Sequence, residues 1–270
     1  MYKLLYLIPL FLLGAILIRS TPEQPQINQL RLMLSELRGG DFAHAGDMES
    51  IDMVLTKLKQ NFPNVLEGNC IDVGCGFGGT ADYLMKHGIK NIWGIDIDKT
   101  AIDYAKSRYK KINFLTQDAA SLSLKFNRDF FSLMVLFNVM YAIEDKATVF
   151  WQLAKISKPG AILVIFDFST PESHEPILDL NEKPMHPVCK KHIKRQLCET
   201  GWEVLEVRDL SENFIQWYEQ LLRKLEDKKL LLKGHFLEKD IAKFSATYVH
   251  ILYQLRKKTL GGILIYAKRI

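Results

Sequence analysis

From Cys70 onward, short apolar runs alternate with stretches in which apolar positions recur every three or four residues, the pattern of strands and amphipathic helices taken in turn. The runs predict strands near 69–73, 91–96, 112–115, 131–137, 161–167, 202–208 and 262–268, with helices at about 79–87, 99–109, 146–156 and 188–200. Such alternation builds a mostly parallel sheet covered by helices, an α/β fold of seven strands. Ahead of the first strand, Asp47 is placed to cap a helix that carries Ile51, Val54, Leu55 and Leu58 on one face. Between the sixth and seventh strands lie about 50 residues, over 210–261, where a plain hairpin needs only a handful. Phe214, Trp217, Tyr218, Leu221, Leu222 and Leu225 fall there at helical spacing, so a helical insertion is expected.

The N-terminus has a different pattern. Leu4 to Ile18 form an apolar run bracketed by Lys3 and Arg19. At about 1.5 Å per residue it would span roughly 22 Å, short of a hydrocarbon core of about 30 Å, which places it between a signal-peptide core and a short anchor. The run leaves as Ile-Leu-Ile-Arg-Ser-Thr, without a small-x-small cleavage site, so an uncleaved membrane anchor is the favoured reading; a start at Met33 is the alternative. The chain then divides into an anchor or signal-like segment (1–20), a linker and lid (21–46) and a main domain (47–270).

Composition adds exclusions. Of 270 residues, 48% are apolar and 25% charged, which rules out a disordered chain and a polytopic membrane protein. The net charge of +5 comes from lysines mixed with acids along helical faces, so no nucleic-acid partner is expected; Lys190, Lys191, Lys194 and Arg195 read as a solvated face. The four cysteines include no CxxC pair, so neither a metal site nor a disulfide framework is expected.

The candidate chemistry starts at Ile71-Asp72-Val73-Gly74-Cys75-Gly76-Phe77-Gly78-Gly79, where a strand ends, a helix begins and glycines let a ligand approach the backbone. Asp72, just before the loop, would repel a pyrophosphate but suits an α-ammonium group. Asp96 ends the second strand, where it can accept both hydroxyls of a ribose, and Ile97 follows it. Asp118 and Ala119 follow the third strand, where the acid can accept from an adenine amine. Three acids around a glycine loop without a neighbouring arginine or lysine fit a cationic cofactor that carries no phosphate.

With these motifs the sequence resembles the class I S-adenosylmethionine-dependent methyltransferases, from about Phe42 to Ile270. The resemblance also rests on the strand ending Phe137-Asn138, the Lys158-Pro159-Gly160 turn and the terminal Gly262-Ile263-Leu264-Ile265. It implies a Rossmann-like methyltransferase sheet with an antiparallel last strand, a helical N-terminal lid and S-adenosylmethionine as cofactor. By resemblance, Asp72, Gly74, Gly76 and Gly78 meet the methionine portion, Asp96 and Ile97 the ribose, and Asp118 with Ala119 the adenine; Asn138 closes the cofactor side. The layout is similar to phosphoethanolamine and glycine/sarcosine N-methyltransferases. It departs from the phosphobase enzymes at Phe42, Ala142, Asn138 and Phe168, where those enzymes carry polar groups for acceptor and catalysis.

These departures point to a neutral or apolar small-molecule acceptor, lipid-like or quinone-like, in a pocket lined by Phe42, Phe168 and Trp217. His44 and Tyr141 are the candidates to hold or deprotonate it. Methyl transfer to such an acceptor at the membrane is the expected function, the catalytic domain facing the cytoplasm. A non-catalytic cofactor-binding module and an NAD(P)-dependent oxidoreductase are the alternatives.

Overall fold

The computed structural model describes residues 28–172, 178–179 and 183–270. Two helices come first, α1 (Gln29–Arg38) and α2 (Asp47–Asn61). The sheet follows as β1 (Asn69–Val73), β2 (Asn91–Asp96), β3 (Asn113–Thr116), β4 (Phe131–Phe137) and β5 (Ser157–Thr170). The helices between these strands are α3 (Gly79–Lys86), α4 (Lys99–Arg108) and α5 (Lys146–Ile156). Then come β6 (Val188–Cys189), α6 (Ile193–Glu199), β7 (Trp202–Asp209), three helices α7 (Ser211–Asp227), α8 (Lys229–His235) and α9 (Glu238–Arg256), and finally β8 (Gly261–Arg269).

The strand order is β3-β2-β1-β4-β5-β8-β7, parallel except for β8, which runs antiparallel to both of its neighbours. The order reverses between β1 and β4, so the loops leaving those strands diverge and open a crevice at their carboxyl ends. Both faces of the sheet are covered, which is why β4 is buried along its whole length instead of alternating. One face packs under α1, α2, α7 and α9 through residues such as Met33, Ile51, Phe214 and Phe244. The other packs on α5 and α6, where the indole of Trp202 donates to the Phe150 carbonyl at 3.0 Å.

Several expectations change in detail. The segment 188–200 is a two-residue strand, β6 beside β5, followed by a short helix, so the described sheet has eight strands. Asp47 does not cap α2. Gly46 occupies that position, and the Asp47 carboxylate pairs with Arg38 and Lys224 instead, giving up one local cap for two cations from distant elements.

The membrane-anchored, cytoplasm-facing placement is also corrected. Among the described residues no helix is long and apolar enough to cross a membrane, and the run from 4 to 18 on which the anchor was read lies outside them. The run was in any case several residues short of the roughly 20 that a span needs.

Asp145 caps α5 through its side chain, as Asn28 and Asp98 cap α1 and α4. Its carboxylate accepts from the Thr148 amide at 3.1 Å and from the Thr148 hydroxyl, and these bonds hold its pKa below the usual carboxylate range. Asp145→Ala is expected to lower stability by about 1 kcal/mol, read as a lower urea midpoint with unchanged slope. An unchanged midpoint would show that the cap contributes nothing.

Candidate functional site

The crevice above β1 and β4 widens into a cavity of about 970 Å³. On one side the glycine loop turns tightly: the amides of Gly74 and Cys75 both donate to the Ile95 carbonyl, at 2.8 and 2.9 Å. Gly74 has φ +72°, and a Cβ there would lie 2.2 Å from a Val139 methyl, so only glycine fits. The Asp96 carboxylate ties this loop to the next turn, accepting from Gly76 N through one oxygen and from Asp98 N through the other, each at 2.9 Å. Ile97 beside it is 72% exposed, an apolar plank open to the cavity. Asp118 accepts from Ala120 N at 2.8 Å, so its position after β3 is fixed by its own turn.

Gly74, Gly76, Asp96, Ile97, Asp118, Ala119 and Asn138 line the cavity; Gly78 and Asp72 do not. Asp72 lies beneath the loop and is fully buried, with one carboxylate oxygen lacking any hydrogen-bond partner. Burial, reinforced by the charge of Asp96, pushes its pKa up to about 7. Asn138 adopts φ +49° where β4 ends. Its side-chain oxygen accepts from Ala45 N at 3.0 Å, and its buried amide nitrogen has no partner. These orphaned buried atoms beside a glycine cradle fit a ligand that brings its own donors and acceptors, as the amino-acid end of S-adenosylmethionine does.

The structure does not bring His44 to the cavity. Its ring lies 4.8 Å from Phe137 with Nε2 3.1 Å from the Thr80 hydroxyl, and Nδ1 is 3.1 Å from both the Ser50 hydroxyl and the Ala45 carbonyl. Burial lowers its pKa to about 4, so it is a neutral brace between the lid loop and α3. Phe42 and Trp217 also lie off the cavity. Phe42 packs on Tyr83 and His44, and Trp217 fills the space beside Gly46 while donating to Glu49 at 2.9 Å. Tyr141 and Phe168 do line it, edge to face at 5.7 Å.

Several residues of this cavity were not anticipated from sequence. Arg31, on α1, reaches over Gly76 and forms a 3.7 Å ion pair with Asp98. Tyr218 on α7 and Tyr248 on α9 stack at 5.5 Å, and Phe168 stacks on Tyr218 at 5.8 Å, so the wall opposite the glycine loop is aromatic. Met185, before β6, completes it. The tyrosines fall in the helical spacing of their segments, and a core aromatic has the same signature. A further buried acid, Asp167, accepts from Val139 N, Met140 N and Phe168 N and holds the turn after β4.

The chain is similar to known methyltransferases. A methyltransferase-domain profile matches residues 71–165. The O-methyltransferase resE of Aspergillus sclerotiorum is 29% identical over 214 residues, 74% of this chain and 75% of that protein. The 2-methyl-6-phytyl-1,4-hydroquinone methyltransferase of Synechocystis is 30% identical over 124 residues, 43% of this chain and 36% of that protein. Among solved structures, a phosphoethanolamine N-methyltransferase 2 of Haemonchus contortus, in complex with phosphomonomethylethanolamine and S-adenosylhomocysteine, superposes with TM-score 0.76 at 16% identity. That match covers 88% of this chain and 56% of the other. A sarcosine dimethylglycine methyltransferase structure from Galdieria sulphuraria gives 0.75 at 14% identity, over 89% and 98%. The matched domain, the methyltransferase relatives and the fold together support a class I methyltransferase. This chain is an S-adenosylmethionine-dependent enzyme of that class, and it acts on a small molecule.

Proposed function

We propose that the enzyme transfers the methyl group to a hydroxyl oxygen of a planar, largely apolar aromatic acceptor of hydroquinone or phenol type. The observation that carries this reading is the aromatic wall of Tyr141, Phe168, Tyr218 and Tyr248, which offers ring faces and hydroxyls and no bulk solvent-facing charge. The O-methyltransferase names of several relatives support it.

In this reading Asp96 takes the ribose, Ile97 and Ala119 flank the adenine, Asp118 accepts from its amine, and the loop with Asp72 and Asn138 holds the methionine portion. The protein's contribution is alignment and exclusion of water, since displacement at a sulfonium methyl needs an in-line nucleophile above all. The test is incubation with S-adenosylmethionine and separate panels of phenols, hydroquinones, primary amines and phosphobases, followed by mass spectrometry. O-methylated aromatic products support the reading, whereas methylation of amines alone overturns it.

The partner proposed for Asp72 has a pH signature. The folded apo carboxyl is raised to about 7, so the ionised form that can receive an α-ammonium prevails above that pH and is lost below it. Affinity for S-adenosylhomocysteine is expected to be about tenfold weaker at pH 6 than at pH 8, and Asp72→Asn should flatten the profile. Calorimetric titration across that range decides, and a flat wild-type profile removes Asp72 from the site.

A further inference from the structure

We propose that the buried Arg38–Tyr248 pair is the acceptor's oxygen subsite, receiving a phenolic hydroxyl as its anion, so that preferred acceptors are acidic phenols. The inference rests on the O-methylation reading above and adds to it the ionisation state of the acceptor and the residues that set it.

The geometry begins with a charge where none is usually tolerated. Arg38, in the last turn of α1, is 7% exposed, ion-paired through Nη1 with Asp47, while its Nε has no hydrogen-bond partner. Asp47 is shared with Lys224 at 3.4 Å, so two cations serve one carboxylate and the cluster keeps a net positive charge behind the aromatic wall. Tyr248 stands between that charge and the cavity. Its ring is fixed by Tyr218 on one side and by Phe244, 4.6 Å away on its own helix. Among the described residues no oxygen accepts the Tyr248 hydroxyl's hydrogen, which leaves it free to donate into the cavity.

Several charged or titratable groups bear on Tyr248 and its neighbours: Arg38 from the lid, Asp47 from the start of α2, Asp179 from the segment after β5, and Tyr218 and Tyr141, with Arg31 and Asp167 further along. Burial raises the Tyr248 hydroxyl, and Arg38 is the largest charge acting on it. Tyr248 therefore stays protonated, a donor. Asp179 opposes Arg38, but one of its oxygens accepts from Lys183 N at 2.9 Å. The oxygens of Asp167 are taken by backbone amides. A polarised phenol donor backed by a guanidinium suits an oxyanion in a site whose wall, among the described residues, carries no histidine.

The step balances without a protein base. The phenol's proton leaves to solvent as the anion is held. The anion's lone pair then forms the oxygen–carbon bond while the carbon–sulfur bond breaks and its electron pair remains on sulfur. Tyr248 is a catalytic residue in this scheme, and Arg38, acting through it, a positioning residue.

The experiment uses 4-nitrophenol, whose anion absorbs in the visible, bound to the full chain with S-adenosylhomocysteine. Expected is an apparent pKa for the bound probe about one unit below that of the free probe, a tenfold preference for the anion. That shift should be lost in Tyr248→Phe and retained in Arg38→Lys. In turnover, Tyr248→Phe should lower kcat/KM about tenfold, and across a series of substituted phenols the wild type should favour the more acidic members. An unchanged affinity for S-adenosylhomocysteine shows that the variant is folded. No binding of the probe, no downshift, or a downshift that survives Tyr248→Phe overturns the subsite. A downshift without methylation of any phenol leaves the subsite standing and overturns the O-methylation reading instead.

Discussion

Asp96→Ala is expected to weaken S-adenosylhomocysteine binding at least about 100-fold. The carboxylate has two tasks, and alanine removes both. Its oxygens accept from the amides of Gly76 and Asp98, which fixes the glycine loop against the end of β2. The residue also lines the cavity, where the proposed ribose lies. Each charge-assisted bond contributes about 1.5–3 kcal/mol, and unsatisfied partners add to the loss, so a combined effect near 3 kcal/mol is a conservative sum. Asp96→Asn, which keeps an acceptor but no charge, should fall between alanine and wild type. Isothermal titration gives the affinities, with ligand-free melting as the control for folding. An Asp96→Ala affinity within about threefold of wild type would remove this residue from the cofactor site.

The second large effect is on stability. Gly79 opens α3 with ordinary negative φ, so helix propensity alone would favour alanine by about 1 kcal/mol. Packing decides the other way. A Cβ at Gly79 would lie 2.6 Å from both the carbonyl carbon and oxygen of Asp41, and backbone cannot swing aside as a side chain can. Nor can Asp41 retreat, because its carboxylate accepts from Ser35, Tyr104 and Tyr109 and pairs with Arg108 at 2.9 Å. Gly79→Ala is therefore expected to cost about 2–3 kcal/mol in chemical denaturation, and to loosen the lid where it meets the loop. Gly234→Ala in α8 is the matched control: nothing lies within 4 Å of its Cβ, and a gain of up to about 1 kcal/mol is expected. Equal effects at the two positions would mean that the contact with Asp41 does not constrain the loop.

The sheet and the glycine-loop side of the cavity were legible because their signals are local. Strands announce themselves as apolar runs, and the loop from Gly74 to Gly79 with Asp96 and Asp118 needs only the end of each strand to be located. The acceptor half was not legible, because α1, the end of β5, α7 and α9 each contribute only a few residues to it. Tyr218 and Tyr248 carry no signal that separates a cavity wall from a core. His44 misled for the opposite reason: a histidine in a glycine-flanked segment near the site looks catalytic, yet its ring is turned inward to Thr80 and Ser50. Asp47 misled similarly, since a nearby helix start is visible in sequence and the attraction of Arg38 and Lys224 is not.

The lid joins the two ends of the described chain. His235 meets the Glu36 carboxylate at 3.1 Å, Lys228 donates to the Glu36 carbonyl, and Trp217 reaches Glu49. These contacts close loops of well over a hundred residues, whose entropy must be met before the contacts can stabilise anything. During synthesis, β1 to β4 and the cofactor cradle can assemble while α9 is still unmade; the acceptor chamber cannot. The order of manufacture thus gives a nascent chain the means to hold its cofactor before it has any means to choose what is methylated.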